Sequence, residues 1–304
     1  MELPPPAPNM LPSTYSQPVA EIIRRRFSCR SYSPQPIEWK DRQRLEDFTA
    51  SLTAGPLGSV LRFQLLAATD EDRNSLSGLG TYGFIQGETG FIAGAVRRSE
   101  KSLEDYGYGL ERIVLLATDL GLGTCWLGGS FTRSGFSKKL SLEEGEALPA
   151  VASIGRITDV ESARIGLIRR QVNADRRFPW ENLFFDENFG APLSRAAAGA
   201  FAEPLEMVRL GPSASNKQPW RIVRRSKGWH FYLQRTKGYR HGFFQAILQV
   251  ADLQRVDMGI AMSHFDVSTG DLGLRGAWTV AEPSIPKPDP ETEYIVSWVE
   301  QDRK

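Results

Sequence analysis

Three stretches of this chain carry residue types that chemistry needs. The first is Arg26-Phe27-Ser28-Cys29-Arg30-Ser31-Tyr32. Taken as the end of a short helix predicted over 19–30, it puts Arg26 and Arg30 four apart on one face. Two guanidiniums and the Ser28 hydroxyl could then hold a phosphate and the polar edge of a planar ring. By itself the segment reads more simply as a solvated basic helix end. The second stretch is Gly211-Pro212-Ser213-Ala214-Ser215-Asn216-Lys217-Gln218-Pro219-Trp220. It packs small polar donors onto a constrained backbone between a helix and a strand. Asn216, Gln218 and Trp220 together favour contact with a flat ligand over an ordinary connection. The third is Gly121-Leu122-Gly123-Thr124-Cys125-Trp126-Leu127-Gly128-Gly129. Gly123, Gly128 and Gly129 would let a backbone N–H approach a ligand with no Cβ in the way. The plainer alternative is a Gly-terminated helix entering a buried turn. No G-x-G-x-x-G sits between a strand and a helix start, so this is not a dinucleotide fingerprint.

Other candidates are weaker. Arg176-Arg177 reads as an echo of Arg25-Arg26 or as a surface pair. His230, His241 and His264 form no constellation, and His264 lies on an apolar helix as a packed core residue. Glu111 opens a helix predicted over 110–120 and is expected to be an exposed first-turn carboxylate. Cys125 is expected to be buried rather than nucleophilic.

The elements that must position these groups occur twice. In the first half, Ser33-Pro34-Gln35-Pro36 breaks the opening helix and a second helix follows at about 38–53. Gly55-Pro56 ends it, and strands are predicted at 61–69 and 151–157 around the 110–120 helix. In the second half, Pro192 begins a helix to about 209 and Gly211-Pro212 ends it. Strands at 221–225, 230–234 and 294–299 surround a helix at 257–267. Pro36 to Pro56 and Pro192 to Pro212 both span 20 residues. Asp119–Trp126 (DLGLGTCW) faces Asp271–Trp278 (DLGLRGAW) with five of eight positions identical. The offsets, 156 and 152, agree within small insertions. Two such matches in the same order argue for a tandem repeat, and a fused pair with pseudo-two-fold symmetry follows from the way homodimers close. The repeat also supplies a contrast. The loop opposite Gly211–Trp220 is Gly55-Pro56-Leu57-Gly58-Ser59-Val60-Leu61, shorter and poor in polar groups.

Composition narrows the partners. The 304 residues are 41% hydrophobic, with 37 Lys+Arg against 36 Asp+Glu. A near-zero net charge gives no electrostatic case for nucleic acid or an anionic membrane. The short basic clusters at 24–26, 169–170 and 176–177 suit a small anion. Two cysteines make no disulfide framework or metal cluster, and no targeting pattern precedes the first helix. A reducing, cytoplasmic setting is therefore expected. Residues 1–18 read as an extended Pro-rich arm, and no run is long enough to span a bilayer.

Taken together, R-F-S-x-R-x-Y, P-S-A-S-N-K-Q-P-W and G-L-G-T-C-W-L-G-G resemble the motif set of the FMN-dependent nitroreductase family, over about residues 20–300. The complete loop lies in the second repeat, which resembles the fused, pseudo-dimeric branch. The resemblance implies a nitroreductase-like α+β fold. It would have a mostly antiparallel central sheet flanked by helices, with halves at 19–177 and 178–304. It also implies a composite FMN site between the halves. Arg26, Ser28, Arg30, Leu127, Gly128 and Gly129 would come from the first half, and Pro212, Ser213, Ser215 and Asn216 from the second. Arg176 and Arg177 would form the basic tail that closes on the phosphate. The mirror site would be lost with the shortened 55–61 loop and the altered 275–278 turn. NADH or NADPH would reduce the flavin at N5, with Arg30 stabilising the N1/O2 edge electrostatically. A small-molecule acceptor, such as a nitroaromatic or a quinone, would take the electrons. A flavin-binding storage or sensing protein and an empty scaffold are the competing classes. The chain is expected to be a monomer, because the usual dimer interface is internal. The Gly-rich 70–100 region, with Tyr82, Phe84 and Phe91, is expected to form a lid.

Overall fold

The computed structural model describes residues 14–69, 73–158, 176–237 and 251–301. His241, the 169–170 basic pair and the tip of the Pro-rich arm lie outside them. The chain enters through α1 (Val19–Arg25) and α2 (Trp39–Ser51) and continues into β1 (Leu61–Ala67) and β2 (Gly90–Arg97). The long α3 (Ser102–Asp119) is followed by β3 (Leu122–Leu127), α4 (Arg133–Lys139), β4 (Glu146–Ala147) and β5 (Val151–Arg156). The second half holds β6 (Phe184–Asp186), α5 (Arg195–Ala198), α6 (Ala202–Leu210), β7 (Trp220–Arg225) and β8 (Gly228–Gln234). It ends with the long α7 (Leu253–Asp271), β9 (Gly276–Thr279) and β10 (Thr292–Glu300). No helix among the described residues is long and apolar enough to cross a membrane.

Two sheets result. The first runs β1-β2-β5-β3, with β4 pairing on β2, and is antiparallel throughout. The second runs β6-β7-β8-β10-β9 and is antiparallel except for the β6–β7 pair. Leaving out β4 and β6, the two sheets have the same order: first, second, fourth and third strand. Each places its long helix between the second strand and the third. The two matched segments, Asp119–Trp126 and Asp271–Trp278, fall on similar geometry. α3 ends at Asp119 and α7 at Asp271, and the glycines that follow, Gly121 and Gly273, take φ of 78° and 69°. Only glycine enters this left-handed region without a Cβ penalty, so both helices stop at the same step of the motif.

α3 and α7 are buried nearly all round, as expected for helices enclosed between sheets rather than lying on one. They cross at Gly107 and Gly259. A Cβ on Gly107 would strike the Val256 carbonyl, and a Cβ on Gly259 would strike the Glu104 carbonyl. Gly107 and Gly259, like Glu104 and Val256, are separated by the same 152 residues as Asp119 and Asp271, so the contact is nearly self-complementary.

One core packs the first sheet against α1, α2 and α3 through Ile22, Leu45, Leu61, Ile92, Ile113 and Ile154. A second, aromatic core fills the other half with Phe184, Phe201, Trp220, Phe231, Phe265 and Trp298. Of the Pro-rich arm, residues 14–18 are described, and they strap the molecule. Tyr15 is buried, and Ser16 N and Oγ each donate to the Asp119 carboxylate at 2.7 Å.

Several expectations shift. β2 and β3 occupy stretches read as Gly-rich and irregular. Tertiary burial overrides the glycines there, because Gly94 and Gly123 each sit against side chains that leave no room for a Cβ. α3 begins eight residues before the predicted start, and α7 begins four before it.

Candidate functional site

The residues after α1 are extended, not helical. Arg26 leaves the helix with ψ 132°. Ser28 then bridges Thr124 of β3 in parallel, and Cys29 N donates to the Thr124 carbonyl at 2.8 Å. Further on, Gln86 N donates to the Arg30 carbonyl at 2.9 Å. In extended chain alternate side chains share a face. Arg26, Ser28 and Arg30 therefore still converge, while Cys29 is buried on the opposite side. The four-residue spacing works through even parity rather than through a helical turn.

These three residues line a cleft of about 300 Å³ between the halves. Leu127, Gly128, Gly129, Arg177, Pro212, Ser213, Ser215 and Asn216 line it too. Arg176 is exposed and is absent from the lining. Its carbonyl is used instead, accepting from Asn216 Nδ2 at 2.9 Å and Gln218 Nε2 at 3.3 Å. Arg177 donates from Nη1 to Asn216 Oδ1 at 3.2 Å and from Nη2 to the Leu210 carbonyl at 3.1 Å. Asn216 and Gln218 thus brace the basic segment, and Trp220 belongs to the aromatic core.

The 213–218 loop is held in a costly shape. Ser215, Asn216 and Gln218 have φ of 50°, 54° and 48°, a region that non-glycine residues rarely enter. Such geometry persists where surrounding contacts over-determine it, often at ligand sites. Ser213 Oγ accepts from Gln218 N at 2.8 Å, and Asp257 accepts from Ala214 N at 2.9 Å.

Asp257 and the rest of the α7 wall, Leu253, Val256 and Ile260, escaped the sequence reading, which began this helix at 257. Their spacing is one helical face, and an acid inside that stripe is the pattern that could have revealed it. Asp257 is fully buried, and burial pushes its carboxyl well above the usual carboxylate range, against the opposing pull of the Ala214 N–H. Its counterpart 152 positions earlier, Asp105, accepts from Leu57 N at 2.8 Å and Ser59 N at 2.9 Å and is raised for the same reason. The same device holds the 57–59 loop and the 213–218 loop.

A raised carboxyl favours the folded state at low pH. That stability is lost as pH climbs from the ordinary value of 3.8 through the raised one. Asp257→Asn keeps an acceptor for Ala214 N and removes the buried charge. The variant should therefore melt at or above the wild-type temperature at pH 8, with a flatter profile above pH 4. A variant that loses stability at pH 8 would show that the charged form is the one the fold prefers.

The glycines of the third motif serve packing first. Gly123 leaves room for Cys29, 2.8 Å from where a Cβ would stand, and Gly128 leaves room for the Leu253 side chain of α7. Of the three aromatics expected in a lid, Phe84 lines the cleft and Tyr82 is exposed, but Phe91 is fully buried in β2. The last part of the predicted lid, Gly90–Arg97, is therefore an inner strand of the first sheet.

Glu111 is also corrected. The earlier start of α3 puts it mid-helix, fully buried, where Oε2 accepts from Trp126 Nε1 at 2.7 Å and Oε1 lies 2.9 Å from His264 Nε2. His264 is buried as expected. At the place opposite the cleft, Tyr108 stands where α7 has Ile260. Its hydroxyl donates to Asp266 at 2.6 Å, and Trp278 Nε1 donates to the same carboxylate at 3.2 Å. Leu57 packs against the aromatic core.

The cleft carries the cations Arg26, Arg30 and Arg177, and Arg30 Nη1 is buried with no hydrogen-bond partner among the described residues. An unpaired buried guanidinium nitrogen is costly unless an anion or acceptor arrives to meet it.

Comparison with known proteins gives a consistent picture. A family model described as "Putative TM nitroreductase" matches residues 18–269. A crystal structure from Thermotoga maritima, described as a "putative nitroreductase", is 18% identical, covering 97% of this chain and 99% of its own, with a TM-score of 0.57. An FMN-dependent nitroreductase of Clostridium difficile is 18% identical over 45% of this chain and 87% of its own, with a TM-score of 0.36. An NADPH:FMN oxidoreductase of Vibrio harveyi, solved with NAD+, is 18% identical over 47% of this chain and 70% of its own, with a TM-score of 0.37. None of the curated proteins compared matches the chain.

Proposed function

The chain belongs to the nitroreductase family, and from that premise we propose that it is an FMN-dependent oxidoreductase with one composite flavin site per chain. The observation that carries this reading is the buried, partnerless Arg30 Nη1 in a cleft where both halves converge. That nitrogen fits the electron-rich polar edge of a flavin. Arg26, Ser28 and Arg177 supply the remaining donors that a phosphate and a polar ring edge require. Leu253, Val256 and Ile260 supply the apolar wall that a planar ring needs.

Bound FMN would supply the two-electron chemistry, taking a hydride from NADH or NADPH and passing electrons to a small-molecule acceptor such as a nitroaromatic or a quinone. The protein's own part is to hold and orient. The first half contributes the Arg26–Arg30 edge and the Leu127–Gly129 turn. The second contributes the 212–216 loop, with Arg177 bound to both the loop and the end of α6. We read the chain as a tandem repeat divided near residue 177 and acting as a cytoplasmic monomer. The matching sheet orders and the Gly107–Gly259 crossing support the repeat. The Tyr108–Asp266–Trp278 contacts, which fill the opposite position, support a single site.

The test is reconstitution with excess FMN followed by desalting and a visible spectrum. One flavin per chain is expected, bleached by NADH or NADPH without oxygen, and retained less well by Ser215→Ala. Two flavins per chain would refute the single composite site. A flavin that neither nicotinamide reduces would favour a storage or sensing protein, and no flavin would remove the enzyme reading.

A further inference from the structure

Glu111 on α3 and His264 on α7 are both fully buried and meet across the helix crossing, one from each half. Glu111 Oε2 accepts from Trp126 Nε1 at 2.7 Å. Its Oε1 lies 2.9 Å from His264 Nε2 and 3.9 Å from Arg26 Nε. His264 Nδ1 is 2.8 Å from the Met207 carbonyl. A carbonyl only accepts, so Nδ1 carries a hydrogen, and Nε2 faces the carboxyl across a shared proton. Both neighbours of Glu111 on the cleft side, Trp126 and Arg26, line the cleft. The Arg26 side chain is only 5% exposed, so its interaction with Glu111 is weakly screened.

A buried carboxyl–imidazole pair seldom adds net stability, because desolvation offsets the attraction between its members. Apolar residues would pack this crossing at no such cost. What they could not do is place a carboxylate directly behind a cleft-lining arginine. We propose that the Glu111–His264 pair orients Arg26 and sets the effective charge of the cleft floor, and through it the balance between oxidised and reduced flavin. This rests on the flavin reading above. Glu111 and His264 are positioning residues, since neither lines the cleft. Distance fixes the sign of each contribution. Glu111 is the nearer to Arg26 and partly neutralises it, while His264 stands behind Glu111 and restrains that neutralisation.

The experiment compares the full-length wild type with Glu111→Gln and His264→Gln, reading the dissociation constant of oxidised FMN and the midpoint potential of the bound flavin. Glutamine at 111 can still accept from Trp126 and can donate to His264 Nε2, so the fold and the indole should stay in place. Reduction leaves added negative charge on the flavin, which Arg26 would favour more strongly once Glu111 is gone. Glu111→Gln should therefore hold the reduced form about tenfold more tightly relative to the oxidised, a rise of about 30 mV for a two-electron couple. His264→Gln should move the potential the other way, because the carboxylate then bears more fully on Arg26. A purely structural role predicts that both forms weaken alike and the potential stays fixed, and that result overturns the proposal. So does loss of FMN binding in Glu111→Gln, since removing a carboxylate should not abolish the hold on an anion. If the wild type itself binds no flavin, the flavin reading falls and this proposal with it. If the wild type binds and neither variant moves the potential, only this proposal falls.

Discussion

Arg30→Ala is expected to weaken FMN binding about 100-fold while leaving the ligand-free protein at least as stable as the wild type. The two effects come from one atom. Arg30 Nη1 is buried in the cleft without a hydrogen-bond partner among the described residues, so the empty site bears a desolvation cost that no protein contact offsets. Removing the side chain removes that cost. With ligand present, the same nitrogen would make a charge-assisted hydrogen bond worth about 1.5–3 kcal/mol, or roughly 10–150-fold in affinity. Thermal melts with and without ligand separate the two. At an FMN concentration of about 100 times its dissociation constant, wild type should gain about 2.7 kcal/mol by mass action, and the variant under 1 kcal/mol. A ligand-free variant that melts well below wild type would mean that Arg30 is structural. An unchanged FMN-induced shift would mean that the cleft binds its ligand elsewhere.

The site was more legible in the sequence than the elements carrying it. Arg26, Ser28 and Arg30 line one cleft although their backbone is extended rather than helical, because residues at i, i+2 and i+4 keep one side in a strand while i and i+4 also stack on a helix. The chain continues as an extended edge beside β3, which local propensity does not encode. Gly128 was singled out for ligand approach, yet it yields space to Leu253, a residue 125 positions away whose arrival no local pattern announces. Asn216 and Gln218 drew attention through their polarity, and that polarity holds the Arg176 carbonyl in place. Glu111 and His264 were invisible as a pair, because their meeting depends on how α3 crosses α7. The likeness of Asp119–Trp126 and Asp271–Trp278 is legible for a physical reason: a left-handed glycine after each long helix and a proline at each loop entry are backbone constraints that few other residues satisfy.

Among the described glycines, Gly259→Ala is expected to be the most destabilising single-methyl change, with Gly107→Ala close behind. In an exposed helix the exchange would stabilise, since alanine is about 1 kcal/mol the better helix former. At the crossing of α3 and α7 the sign reverses. The added methyl at 259 would meet the Glu104 carbonyl and the Tyr108 amide, and the one at 107 would meet the Val256 carbonyl. These are backbone atoms of a facing helix, so no rotamer change makes room, and the helices themselves must separate. Overpacking of this kind costs about 1–3 kcal/mol, and the upper end is apt where the obstacle is backbone. A loss near 3 kcal/mol should lower the melting temperature by roughly 5 °C for a chain of this size. The effect should reach the cleft. Separating the helices moves the α7 wall of Leu253, Val256 and Ile260 away from Arg26 and the Leu127–Gly129 turn, so FMN affinity should fall together with stability. Gly270 lies on the same helix with nothing within 4 Å of where a Cβ would stand. Gly270→Ala is the control, expected to be neutral or slightly stabilising and to leave FMN affinity unchanged. Equal melting temperatures for Gly259→Ala and Gly270→Ala would show that the two halves are not held at this crossing.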